Sequence, residues 1–99
     1  MNITAQEARE IMDTEEGYII LDVRTQAEYD EKHIPGAVLI PDYEIKERAE
    51  EELTDKDQLI LVYCRSGRRS KLAAEALVEL GYTNIKEFGG IIDWSYEVE

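Results

Sequence analysis

Two rhythms of apolar and polar residues run through this chain, and the places where they change predict short strands alternating with helices. Tyr18 to Val23 is an apolar run that ends in polar residues, and Leu59 to Tyr63 has the same character. Ala37 to Ile40 is a shorter run of the same kind, and Ile85 to Phe88, with Lys86 and Glu87 between its apolar ends, reads as a fourth strand. Short continuous apolar runs read as buried strands. Between them the spacing lengthens to three and four. Ile45, Ala49 and Leu53 mark a charged helix over 43–53. Leu72, Ala73, Ala76, Leu77 and Leu80 line one face of a helix over 70–80, and Gly81 stands where a left-handed C-terminal cap is expected.

Local punctuation adds the remaining elements. Thr4-Ala5-Gln6-Glu7 is a capping-box pattern that opens a helix through about Met12, with Ala8 and Ile11 on its apolar side. Thr25-Gln26-Ala27-Glu28 repeats the pattern for a short second helix. His33-Ile34-Pro35-Gly36 reads as a turn, and Gly89-Gly90 leads into a final short helix carrying Ile92 and Trp94. Strands separated by helices imply an α/β fold with a mainly parallel sheet covered on both faces, because parallel neighbours need helical crossovers. Ligands of such sheets gather at the carboxyl ends of the strands. Cys64 stands at one such end and Asp22-Val23-Arg24 at another.

Ninety-nine residues, 43% of them hydrophobic, suffice for one modest core, so residues 1–99 are expected to form a single domain. The formal charge of -12 sets a repulsive long-range field against nucleic acid and anionic membranes, and neither is expected as a partner. Arg65, Arg68, Arg69 and Lys71 invert that sign locally. No apolar run approaches the roughly 20 residues of a membrane span, and no targeting segment is visible, which gives a cytoplasmic expectation. The single cysteine fits a reducing compartment and leaves no resolving thiol within the chain. With one Cys and one His, neither a metal site nor a cofactor is expected.

Cys64 carries the candidate chemistry. It ends an apolar strand and is followed at once by Arg65-Ser66-Gly67-Arg68-Arg69-Ser70, a turn that opens a helix N-terminus. Free backbone N–H groups, the helix dipole and three guanidinium groups there favour a thiolate over a thiol, and would hold an anionic substrate in the same cradle. A structural cysteine, being a small buried hydrophobe, has no use for such a cationic turn.

Over nearly its full length the chain resembles the single-domain rhodaneses, a sulfurtransferase family. The resemblance rests on Leu21-Asp22-Val23-Arg24 with Glu28-Tyr29 and His33-Ile34-Pro35-Gly36-Ala37, on Tyr63-Cys64-Arg65-Ser66-Gly67-Arg68-Arg69-Ser70, and on Gly89-Gly90 with Trp94. It implies a rhodanese-like sheet of about five strands, with Met1-Asn2-Ile3 as a short extra strand. It further implies that Cys64 carries sulfane sulfur as a persulfide, moved from a small anionic donor such as thiosulfate to cyanide, a thiol or a protein acceptor. The loop Arg65, Ser66, Gly67, Arg68 and Arg69 would bind the donor, with Arg65 and Arg69 gripping its charge. Sulfite is stable as an anion at neutral pH, so no general acid is required, and oriented N–H and guanidinium donors suffice.

The other motif residues read as structural. Asp22 and Arg24 are expected to pair and fix the rim of the site, His33 to make a turn contact, Trp94 to pack, and Glu28 to support its capping box. Two other functions remain in view. Cysteine-dependent phosphatases and arsenate reductases have a similar loop, but theirs is Cys-x5-Arg; here Ser70 is the sixth residue after Cys64 and Arg69 comes one position early. A noncatalytic or sulfur-relay rhodanese module is the second alternative.

Overall fold

In the computed structural model, which describes residues 2–99, helices and strands alternate along the chain. Helix α1 spans Ala5–Thr14, β1 Ile19–Asp22, α2 Gln26–Glu31, β2 Val38–Leu39, α3 Ile45–Glu52, β3 Ile60–Cys64, α4 Arg68–Glu79 and β4 Ile85–Gly90. The four strands form one sheet in the order β2-β1-β3-β4, and every pairing is parallel. Asp22 lies opposite Tyr63 in the ladder, so the ends of β1 and β3 meet at the middle of one edge. Cys64 is therefore central in the sheet as well as terminal in its strand.

Period-two alternation along the strands sorts the core into two layers. Leu21, Val23, Ile60, Val62, Cys64 and Ile85 face one side, against Ala49 and Leu53 at α3 and Ala73 and Leu77 of α4. Ile20, Leu61, Tyr63 and Phe88 face the other, against Ala8 of α1, Ile34 and Trp94. Both faces are covered by helices, as the alternating pattern requires. Both predicted capping boxes form: Thr4 and Glu7 exchange bonds at the start of α1, and Thr25 and Glu28 at the start of α2. Gly81, at φ 99°, ends α4 in the left-handed region.

Several boundaries differ from the sequence expectation. Among the described residues four strands form instead of about five: the N-terminal segment contributes one parallel bridge, Asn2 to Glu87, with the Ile3 N–H donating to the Glu87 carbonyl at 2.9 Å. Thr4 caps α1 directly afterwards, which leaves no chain to extend the ladder; Met1 of that expected strand lies outside the described residues. The helix expected over 43–53 divides into a 3-10 turn, Asp42–Glu44, and α3, because Tyr43 is exposed and apolar burial begins only at Ile45. Helix α4 starts at Arg68 rather than Ser70, since Gly67 at φ 106° supplies the turn before it. The last expected helix is a 3-10 turn, Ile91–Asp93, after which Trp94 is buried against Phe88.

Candidate active site

Strand alternation aims Cys64 at the α4 side of the sheet, and the turn 65–67 folds back over it. The Cys64 side chain is buried, at 1% exposure. Its Sγ accepts the Gly67 N–H at 2.9 Å and lies 3.4 Å from Ser70 Oγ. Arg68, Arg69 and Ser70 form the first turn of α4, so their N–H groups have no helical carbonyl behind them. The sulfur sits at the positive end of a helix of 12 residues.

Two glycines allow this loop to pack so tightly. Gly67 adopts a left-handed φ that other residues rarely tolerate. A Cβ on Gly90 would stand 2.5 Å from Ser66 Cα and closer still to the Arg65 carbonyl, so β4 can pass beneath the loop only without a side chain there. The Arg65 carbonyl in turn accepts the Ile92 N–H at 3.2 Å, tying the turn to the segment after β4.

The loop arginines divide into two kinds. Arg69 turns away to Glu28, with Nη1–Oε1 at 2.7 Å and Nη2–Oε2 at 2.9 Å. That two-pronged bond, first among several causes, holds the Glu28 carboxyl down at about 2 and raises Arg69. Glu28 thus serves its own capping box and the α4 loop together. Arg65 and Arg68 are exposed, and among the described residues neither has a carboxylate within ion-pair distance. Arg65 lines a cleft of about 220 Å³ with Arg24, Lys32, Ile91 and Ile92, and with the carboxylates Glu28 and Glu31. Ser66 is exposed at the tip of the turn.

Asp22 and Arg24 are joined in a buried network on the opposite layer. Arg24 Nη2 reaches Asp22 Oδ2 at 2.7 Å and the Lys32 carbonyl at 2.7 Å, while Tyr63 Oη donates to Asp22 Oδ2 at 2.6 Å. The same hydroxyl accepts the Ile34 N–H at 3.1 Å. Burial, and then the Asp22 carboxylate, push the Tyr63 hydroxyl well above its ordinary value, which keeps it a donor. This network locks the ends of β1 and β3 together beside Cys64 without touching the sulfur. His33 stacks on Tyr29 with ring centroids 3.7 Å apart and donates through Nδ1–H to the Tyr29 carbonyl at 2.8 Å; Trp94 donates to the Glu97 carbonyl.

Residues 4–97 match the family described as "Rhodanese-like domain". The chain belongs to that family. Among its relatives, the thiosulfate sulfurtransferase PspE of Escherichia coli is 42% identical over 73 residues, covering 74% of this chain and 70% of that protein. A sulfurtransferase of Allochromatium vinosum is 37% identical over 89 residues, covering 89% of this chain and 80% of the relative. Other curated relatives are longer: the chain spans 22% of the adenylyltransferase and sulfurtransferase UBA4 of Candida albicans, at 32% identity. Among solved structures, a "rhodanese with anions from E. coli" superposes with a TM-score of 0.77 at 38% identity, over 83% of this chain and 96% of that one. The rhodanese-like assignment accounts for the α/β fold and places the domain among sulfurtransferases. Among the described residues no helix is long and apolar enough to cross a membrane, and no cluster of three or more His, Cys, Asp or Glu side chains is placed to hold a metal ion.

Sequence reasoning missed one residue at the site. Glu87, only 2% exposed, lies beneath the loop on β4 and accepts from Ser70 Oγ and from the Gly89 N–H, each at 2.6 Å. The available signal is strand alternation, which puts Glu87 on the same side as the apolar Ile85.

Proposed function

We propose that this domain is a sulfurtransferase that carries sulfane sulfur on Cys64 and takes it from a small anionic donor of the thiosulfate type. The observation that carries this reading is the environment of Sγ: a backbone N–H at 2.9 Å, a helix N-terminus, and the unpaired guanidinium groups of Arg65 and Arg68 around the mouth of the loop. In the transfer step, the Cys64 thiolate attacks the outer sulfur of thiosulfate. A new S–S bond forms at Sγ while the S–S bond of thiosulfate breaks, and its electron pair leaves on sulfite. The negative charge that stays behind on the outer persulfide sulfur meets the oriented N–H groups of the loop. Discharge reverses the logic. A nucleophile such as cyanide, a thiol or a protein acceptor takes the outer sulfur and releases Cys64 as thiolate.

Among the described residues no imidazole hydrogen-bonds to Cys64, which would handicap acyl transfer but not this exchange, because both leaving groups are stable anions. Incubation of the reduced domain with thiosulfate, followed by intact mass measurement, tests the reading. The expected result is a gain of one sulfur atom that cyanide removes as thiocyanate. A folded, reduced domain that gains no sulfur from thiosulfate would overturn this choice of donor.

A further inference from the structure

A carboxylate buried beneath a sulfur nucleophile is strongly disfavoured, because a charge removed from water loses its hydration unless it is paired. Glu87 is 2% exposed, and among the described residues no Lys, Arg or His lies within ion-pair distance of it. Its bonds go instead to Ser70 Oγ and the Gly89 N–H. Ser70 is completely buried and lies between Glu87 and Cys64, with its Oγ 2.6 Å from Glu87 Oε2 and 3.4 Å from Cys64 Sγ. The Gly67 and Gly89 carbonyls are also within reach of that oxygen, at 3.0 and 3.3 Å.

A hydroxyl has one proton to give, and the nearest and most strongly accepting partner takes it. With Glu87 ionised, that partner is Glu87, and Ser70 Oγ presents a lone pair toward Sγ that can receive the thiol proton. With negative charge on the sulfur, Ser70 turns its proton to the sulfur and Glu87 becomes the place for a second one. Two negative charges joined through a single buried hydroxyl disfavour each other strongly.

Building on the sulfurtransferase reading, we propose that Glu87 is a positioning residue that acts through Ser70 as the internal proton store of the site, so that the buried pair carries one negative charge in both the empty and the sulfur-loaded domain. The empty domain holds a Cys64 thiol and a Glu87 carboxylate. On loading, the thiol proton passes to Ser70 Oγ while the Ser70 proton passes to Glu87. The thiolate so formed takes the outer sulfur of thiosulfate, and sulfite leaves. A persulfide anion, a Glu87 carboxylic acid and sulfite result, with charge and protons conserved. On discharge to cyanide, thiocyanate leaves and Glu87 returns the proton through Ser70 to Cys64. The cycle needs no solvent proton, which suits a sulfur that is 1% exposed.

Proton counting with a pH indicator in weakly buffered solution tests this, run on the wild-type domain and Glu87→Gln, each loaded once with thiosulfate and once with inorganic polysulfide. At a pH where ultraviolet absorbance shows Cys64 of empty Glu87→Gln to be a thiol, that variant should release one more proton per sulfur bound than wild type does, for each donor. Infrared difference spectra of loaded minus empty wild type should gain a protonated-carboxyl band that Glu87→Gln lacks. Equal proton counts, or loaded wild type without that band, would overturn the proposal, and the wild-type spectrum decides even if the variant misfolds. Loading from polysulfide but not from thiosulfate would overturn the donor reading and leave the band to judge Glu87; loading from neither would overturn both.

Discussion

Arg69 presents both terminal guanidinium nitrogens to the Glu28 carboxylate, at 2.7 and 2.9 Å, and so fastens the start of α4 to the start of α2 across 41 residues of sequence. An arginine engaged in this way is a structural clamp first. Replacing Glu28 by Gln should lower stability by about 1 kcal/mol, the scale of a partly exposed but two-pronged pair. The pH dependence has a definite sign. The Glu28 carboxyl is lowered from its ordinary 4.5 to about 2 in the fold, chiefly by Arg69, so its contribution is complete above 4.5 and disappears as pH falls toward 2. Chemical denaturation of wild type and Glu28→Gln should converge across that window, and parallel curves would show that the clamp contributes nothing.

Arg65 should behave differently from Arg69. Among the described residues it has no carboxylate within ion-pair distance, and it lines the cleft beside the loop, so Arg65→Ala should raise the KM for thiosulfate about tenfold or more, the worth of a charge-assisted contact, and leave stability unchanged. Arg69→Ala should instead lower stability as Glu28→Gln does. Steady-state kinetics beside denaturant melts separates the two, and a KM effect confined to Arg69 would reverse the assignment.

Removing the thiol should remove the function and spare the fold. Cys64→Ser changes little volume, and the new hydroxyl can still accept the Gly67 N–H, so stability should move by less than about 1.5 kcal/mol. Sulfur loading by intact mass should vanish. Residual loading in this variant would place the sulfur elsewhere.

Much of this was legible in the chain because it is local. A capping box is four residues long, the Cys64 loop is one turn, and the strand runs are contiguous, so Thr4, Thr25 and Arg65 to Ser70 announce themselves. The Asp22 and Arg24 pair, two residues apart, is legible for the same reason. The partners of Arg69 and Ser70 are not local. Glu87 in Ile85-Lys86-Glu87-Phe88 looks like one of two neighbouring surface charges on a short strand, although alternation puts it on the side of Ile85. It is buried because it lies opposite Val62 on the side that α4 covers, just before the register shift where β4 has two residues, Phe88 and Gly89, opposite Tyr63 alone. A pattern of single residues does not encode which helix will lie over which bulge.

Gly90 is the position where the loop is least tolerant. A Cβ there collides with backbone of Arg65 and Ser66, not with a flexible side-chain end, so relief requires the loop or β4 to move. Gly90→Ala should cost about 1 to 3 kcal/mol and displace the Cys64 turn, with sulfur loading falling more steeply than stability alone explains. A variant that folds and loads at the wild-type rate would show that the close approach is not needed.

The length of the loop separates sulfur transfer from phosphoryl transfer. A Cys-x5-Arg loop places its guanidinium at the sixth residue, turned in to grip a tetrahedral oxyanion. Here the sixth residue is Ser70, whose Oγ lies 3.4 Å from Sγ, and the arginine before it is committed to Glu28. The wild-type domain should therefore not turn over an aryl phosphate under conditions where sulfane loading is readily measured. Inserting one Gly after Gly67 moves an arginine to the sixth position and enlarges the ring, but it also shifts Ser70 away from Glu87 and Arg69 out of register with Glu28. Thiosulfate loading should fall in that variant while affinity for phosphate or arsenate rises, read by intact mass and by protection of Cys64 from alkylation. Robust phosphatase activity in the wild type, or an insertion variant that loads sulfur undiminished, would show that ring size does not select the chemistry.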